Sequence, residues 1–193
     1  MRRILIEWLV DVHLKFKLLP ETLFIAINLM DRYCQAQRLP KKQYQLLGVT
    51  CLLIAGKYEE IYPPHIEDYV NITDRAYTRQ DVLEMERAIL SQLQFEIMLP
   101  STYRFLERYA RISESPQLIF CLAQYAVELS LIEVSMNQYS PDVLASAASF
   151  LARRLMQPDE WSWSAFMVQQ TGLHESCLRP CARDMCFIFK VAH

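Results

Sequence analysis

The densest set of side chains able to bind a metal lies near the C-terminus, where Cys177, Cys181 and Cys186 follow His174. Cys177 and Cys181 stand four residues apart and would share a helix face, whereas Cys186 falls five beyond Cys181 and diverges. Free cysteine is a common core residue, so the set reads as packing rather than as a metal centre. Glu59 and Glu60 form an adjacent carboxylate pair, but neighbours along a helix do not face each other. No acid or base partner stands beside them, and His13, His65, His174 and His193 are scattered. The chain has no Gly-rich phosphate loop, no His-Glu-x-x-His, no Cys-x-x-Cys and no Gly-x-Ser-x-Gly nucleophile turn. The expectation is a binding protein with no catalytic residues, no metal and no cofactor.

The element that must organise such a protein is Tyr44 to Glu60, reading YQLLGVTCLLIAGKYEE. It is apolar from Leu46 to Ala55, too short to cross a bilayer and closed by charge, so no membrane partner is expected. Its length without proline favours helix over strand. A helix apolar on nearly every side must be surrounded by other helices, and Gly48, Thr50, Cys51 and Ala55 would let them approach closely. Lys57, Tyr58, Glu59 and Glu60 form a polar and aromatic cluster at its end.

Composition narrows the class. The chain is 52% hydrophobic and 22% charged, which argues against disorder, and holds three glycines, few for a β-rich or dinucleotide-binding protein. A formal net charge of -2 with dispersed Lys and Arg argues against nucleic-acid binding. Six cysteines without the spacing of a secreted scaffold point to free thiols in a reducing compartment. The helical pattern is already under way at residue 1 without an N-cap, as expected for a piece of a longer chain.

Around the central stretch the apolar spacing predicts helices throughout. The first holds Ile4, Leu5, Trp8, Leu9, Val12 and Phe16, and the second starts at Pro20 and runs to about Gln35. A short helix follows at His65 to Val70. Thr78 with Asp81 three residues on is a near capping box for the next. After Pro100, Ser101 caps a new helix, another begins near Pro116, and Ser140 with Pro141 opens a third. A short helix from Trp161 to Gln170, closed by Gly172, and a last one from His174 to about Val191 complete the chain.

An offset of 97 places Trp8 on Phe105, Leu47 on Leu144, Gly48 on Ala145, Ile54 on Leu151, Ala55 on Ala152 and Lys57 on Arg154. Three consecutive helices keep one register of large and small positions. The expected fold is therefore all-α, two tandem five-helix domains each built around its third helix, with domains at 1–97 and 98–193.

The segments MRRILIEWLVDVHLKFKLLPETLFIAINLMDRYC and LLIAGKYEEIYPP, followed by IEDYVNITDRAYTRQDVLEMERAILSQLQFEI, resemble the cyclin box. The similarity is strongest to mitotic B-type cyclins and covers essentially the whole chain. It implies the cyclin fold and a non-catalytic subunit that binds and activates a cyclin-dependent protein kinase in cell division, in nucleus and cytoplasm. The resemblance assigns Lys57 to main-chain carbonyls at the end of the kinase's regulatory helix, with Glu86 as its acidic companion. It assigns Tyr58, Glu59 and Ile61 to flanking contacts, and Ile54, Leu90, Phe95 and Ile97 to an apolar floor.

It also implies a substrate-docking groove for Arg-x-Leu peptides, made by Met1, Ile4, Leu5, Trp8, Asp11, Tyr44, Gln45 and Ile72. Asp11 replaces the Glu of some relatives and Tyr44 the usual Leu, so this groove is shorter in its acid and bulkier in its floor. Gly56 stands where relatives carry Ser or Ala, which by propensity alone costs about 0.5–1 kcal/mol. The alternative is an adaptor with the same fold, of the TFIIB or pocket-protein kind, without kinase activation. The net charge opposes its DNA-binding form.

Overall fold

The computed structural model describes residues 1–158 and 163–192, the last two by backbone alone. It divides into two compact units, Met1–Leu99 and Pro100–His193. The first contains α1 (Arg2–Phe16), α2 (Pro20–Ala36), a 3₁₀ turn at Lys41–Gln43, α3 (Tyr44–Glu59), α4 (Ile66–Ile72) and α5 (Arg79–Gln92). The second contains α6 (Thr102–Ile112), α7 (Gln117–Ile132), a 3₁₀ turn at Val134–Gln138, α8 (Pro141–Met156), α9 (Ala165–Thr171) and α10 (Glu175–Ala192). No strand occurs among the described residues.

In the first unit the body of α3 has no solvent face: every residue from Leu46 to Gly56 is buried. α1, α2, α4 and α5 pack around it. Gly48 is where α1 crosses closest, since a Cβ there would lie 3.1 Å from Leu5 Cδ1 and 3.3 Å from Leu9 Cδ1. α8 plays the same part in the second unit, with Leu144 through Ala152 buried beneath α6, α7 and α10. The offset of 97 relates the bounds of α3 to those of α8 at both ends. The registers part company only at α4 and α9, after the central helices.

The caps explain where helices begin. Thr78 Oγ1 accepts from Asp81 N–H while the Asp81 carboxylate accepts from Thr78 N–H, the reciprocal pairing of a capping box. Ser101 accepts from Arg104 N–H. Ser140 occupies the N-cap of α8 with Pro141 behind it, but its hydroxyl makes no cap bond. The expected start at Trp161 lies outside the described residues. α9 begins at Ala165, because Ser164 takes the capping role and accepts from Met167 N–H. Gly172 closes α9 at φ 71°, a conformation that favours glycine.

The cysteines divide. Cys181 is buried, Cys186 half-buried and Cys177 exposed, so packing accounts for Cys181 but not for Cys177. Burial pushes the Cys181 thiol up to about 12, with Asp184 adding to the shift. No cluster of three metal-ligating side chains occurs among the described residues.

Candidate functional site

Lys57 and Glu86 come from different helices and meet as an ion pair. Lys57 sits in the last turn of α3, one turn beyond buried Leu53, and the capping box at Thr78 fixes the start of α5, which carries Glu86. Lys57 Nζ donates to Glu86 Oε1 at 2.8 Å and Oε2 at 2.9 Å. The Glu86 side chain is 13% exposed and that of Lys57 49%, so the acid is set back and the cation stands forward. An ammonium has three donors; two are engaged, which leaves one for an incoming acceptor. At the corresponding turn of α10 stand Ala182 and Arg183, so the second unit does not repeat the pair although Arg154 matches Lys57.

Lys57 borders a mixed apolar and basic surface. A depression of about 490 Å³ is lined by Leu53, Lys57, Ile61, Tyr62, Arg79 and Leu83, among others. Ile61 is 84% exposed, Tyr62 91% and Phe95 69%, with Tyr58, Met98 and Leu99 also exposed. Tyr58 is tied to the tail of the unit by its hydroxyl, which donates to Met98 Sδ at 3.4 Å. Large exposed apolar side chains of this kind are candidates for a binding face.

The backbone that presents Phe95 is strained. Gln94 and Phe95 take φ of 53° and 60°, left-handed values uncommon without glycine. Phe95 N–H bonds back to Leu90 O at 2.9 Å. Arg32 of α2 holds the next residue, donating to Glu96 O at 2.7 Å and approaching its carboxylate at 3.6 Å.

Other assigned residues lie at different depths. Ile54 is buried inside the first unit, and Leu90, Ile97 and Glu59 are half-buried. Glu60 turns away from that pair, and its Oε1 accepts from Leu19 N–H at 2.7 Å and from Thr22 Oγ1 at 2.6 Å. It thus closes the N-terminus of α2, where a carboxylate is favoured by the helix dipole. Reading Glu60 with Lys57 as one polar cluster misses this, because its partners lie 41 and 38 residues back.

Met1, Ile4, Trp8 and Asp11 follow one stripe of α1. Met1 is 58% exposed and Ile4 69%, Asp11 is exposed and Trp8 half-buried. Leu5, next to Met1 and Trp8 on the helix surface, is buried at the inner edge of this stripe against Gly48. That contact brings the first turn of α3, with half-buried Tyr44 and Gln45, alongside α1. Ile72, half-buried, ends α4, and Tyr77 just beyond it donates to Lys42 O at 2.8 Å, pinning this loop to the turn before α3. Arg2 clamps α1 to α2 through Nε and Nη2 to Asp31 at 2.8 and 2.7 Å.

The family "Cyclin, N-terminal domain" matches residues 1–98, and "Cyclin, C-terminal domain" matches residues 100–193. The chain belongs to the cyclin family. Among its relatives is Cyclin-A1-2 of Arabidopsis thaliana, 41% identical over 190 residues, covering 96% of this chain and 43% of that protein. Cyclin-B2-1 of Oryza sativa subsp. japonica is 45% identical over 163 residues, covering 84% of this chain and 39% of the relative. A viral cyclin from herpesvirus saimiri shares the fold with a TM-score of 0.83 at 17% identity, covering all of this chain and 87% of that one. Both A-type and B-type cyclins are thus relatives, and this cyclin spans about two fifths of the length of these curated relatives.

Sequence reasoning did not single out Tyr62, which lines the depression with Lys57, or Met98, which meets Tyr58; Leu99 beyond them is also exposed. An aromatic immediately before Pro63-Pro64 was a usable signal for Tyr62, since two prolines end the helix and force the side chain into a loop.

Proposed function

We propose that this cyclin is a regulatory subunit that binds and activates a cyclin-dependent protein kinase in the control of cell division. The observation that carries the reading is the Lys57–Glu86 pair set in an exposed apolar face. Glu86 holds the ammonium in place, and Lys57 offers its remaining donor to carbonyls at the end of a partner helix, which lack helical partners of their own. Ile61, Phe95 and their neighbours bury apolar area around it. Holding the kinase's regulatory helix inward is what completes the catalytic Lys–Glu pair of a kinase. The stripe of Met1, Ile4, Trp8 and Asp11 forms the docking groove for Arg-x-Leu peptides, with the carboxylate pairing the arginine.

The test is co-purification with a cyclin-dependent kinase followed by a histone kinase assay, with Lys57→Ala and Glu86→Ala alongside. Each substitution should weaken binding by about 10- to 100-fold, the cost of stranding one partner of a desolvated charge pair. The fold should survive, because a pair with a half-exposed cation adds at most about 1 kcal/mol to stability. Failure of the wild-type chain to bind any such kinase would defeat the proposal, and loss of Arg-x-Leu peptide capture in Trp8→Ala checks the groove.

A further inference from the structure

The second unit carries a polar cluster outside the face proposed above for the kinase. Arg153, on the buried central helix α8, reaches the loop between α6 and α7. There its Nη2 lies 2.8 Å from Ser113 Oγ, 2.7 Å from Ser115 Oγ and 3.2 Å from Ser113 O. Ser115 is followed by Pro116, whose backbone is extended at φ -54° and ψ 143°. α7 starts directly after it with no side-chain cap and no acid in its first turn. Neither a side-chain cap nor a first-turn acid therefore offsets the charge of its first amides. A solvent-facing cavity of about 280 Å³, bordered by Ser113, Glu114, Arg153 and Ser164, lies beside the cluster.

We propose that Ser115 is a phosphorylation site for a proline-directed Ser/Thr kinase, and that Arg153 and the N-terminus of α7 hold the phosphate. In the transfer, Ser115 Oγ attacks the γ-phosphorus of ATP. The new O–P bond forms as the bridging bond to the β-phosphate breaks, the hydroxyl proton passes to the kinase's catalytic carboxylate, and ADP leaves. Pro116 presents no N–H and a fixed φ, which suits a kinase groove that accepts an extended Ser-Pro step. The product carries nearly two negative charges and three acceptor oxygens within reach of a guanidinium already in contact with Ser115. Glu114 is a like charge but is exposed, so solvent screens it. Ser140-Pro141 offers the same dipeptide, but Asp142 follows in the first turn of α8 and would repel a phosphate there.

The whole chain would be incubated with ATP and a proline-directed kinase that is active without this protein, then mapped by mass spectrometry and titrated by 31P NMR. Phosphate is expected at Ser115 and absent in Ser115→Ala. Its second pKa, about 6 in a free peptide, should fall by about half a unit or more beside Arg153, and Arg153→Gln should restore the peptide value. The Tm of the phosphorylated protein should rise by about 2–6 °C. No incorporation at Ser115, or a phosphoserine there that titrates like the peptide of the same sequence, overturns the proposal. The peptide comparison holds even if Arg153→Gln misfolds, and no outcome depends on this cyclin acting as a kinase activator.

Discussion

Gly56→Ala sets two local effects against each other, and the structure decides between them. Helix propensity favours alanine by about 0.8–1.0 kcal/mol in a helix interior. A Cβ at Gly56, however, would stand 2.9 Å from the hydroxyl oxygen of Tyr69, closer than real contacts allow. Tyr69 has no room to retreat. It is fully buried and its ring meets Phe16 edge-on at 5.3 Å between centroids. Overpacking a closed site costs about 1–3 kcal/mol, so Gly56→Ala should destabilise by about 0–2 kcal/mol net. The hydroxyl itself has no hydrogen-bond partner among the described residues, and burial raises its pKa. Tyr69→Phe should thus be neutral or stabilising, since it removes a buried polar group that gains nothing. In the Tyr69→Phe background, Gly56→Ala should turn stabilising by about 0.8–1.0 kcal/mol. Hydrogen exchange of the α3 amides at a series of urea concentrations reads the first unit by itself. A coupling of about 1–3 kcal/mol is expected between the two substitutions. Additivity within about 0.3–0.5 kcal/mol would refute the reasoning.

Two further outcomes follow from the same contacts. Glu60→Ala removes the acceptor for Leu19 N–H and the Thr22 hydroxyl, and should cost about 1–3 kcal/mol, whereas Glu60→Gln keeps an acceptor oxygen and should cost less; comparing their melting temperatures checks this. The Cys181 thiol is raised from 9.0 to about 12 by burial, and Tyr139, which donates to Asp184, from 10.0 to about 12. Folded-state values above the unfolded ones mean that this stability is complete below pH 9 and is lost as pH rises towards 12. Alkaline unfolding followed by circular dichroism should therefore begin at higher pH in Cys181→Ala, provided that variant folds.

The architecture was legible because its signals are local and repeated. The apolar run at Leu46–Ala55, the prolines at 20 and 141 and the caps at Thr78 and Ser101 each act within a few residues. The offset of 97 then needed only a register of large and small positions. The Lys57–Glu86 contact was legible in a different way. Nothing in the spacing of Lys57 and Glu86, 29 residues apart, announces a contact; the family resemblance supplied it. Where neither signal existed, the reading went astray or stayed silent. Gly56 looked like a propensity defect because the reason for it is Tyr69 on another helix. Glu60 was grouped with Lys57 by adjacency, although its partners belong to the start of α2. The left-handed pair Gln94–Phe95 contains no glycine, so no residue type marked the sharp exit from α5.

That exit has a consequence for the order of events in folding. The tether from Arg32 to Glu96 closes across 64 residues, and contacts of such separation form late. Chains emerge N-terminus first, so α1 to α3 can assemble and carry Lys57 while residue 96 is still unmade. Phe95 acquires its fixed outward position only when Glu96 reaches α2. A nascent or clipped chain can therefore hold a formed core and yet lack its complete apolar face. The outward placement of Phe95 is thus a separate step from formation of the core around α3.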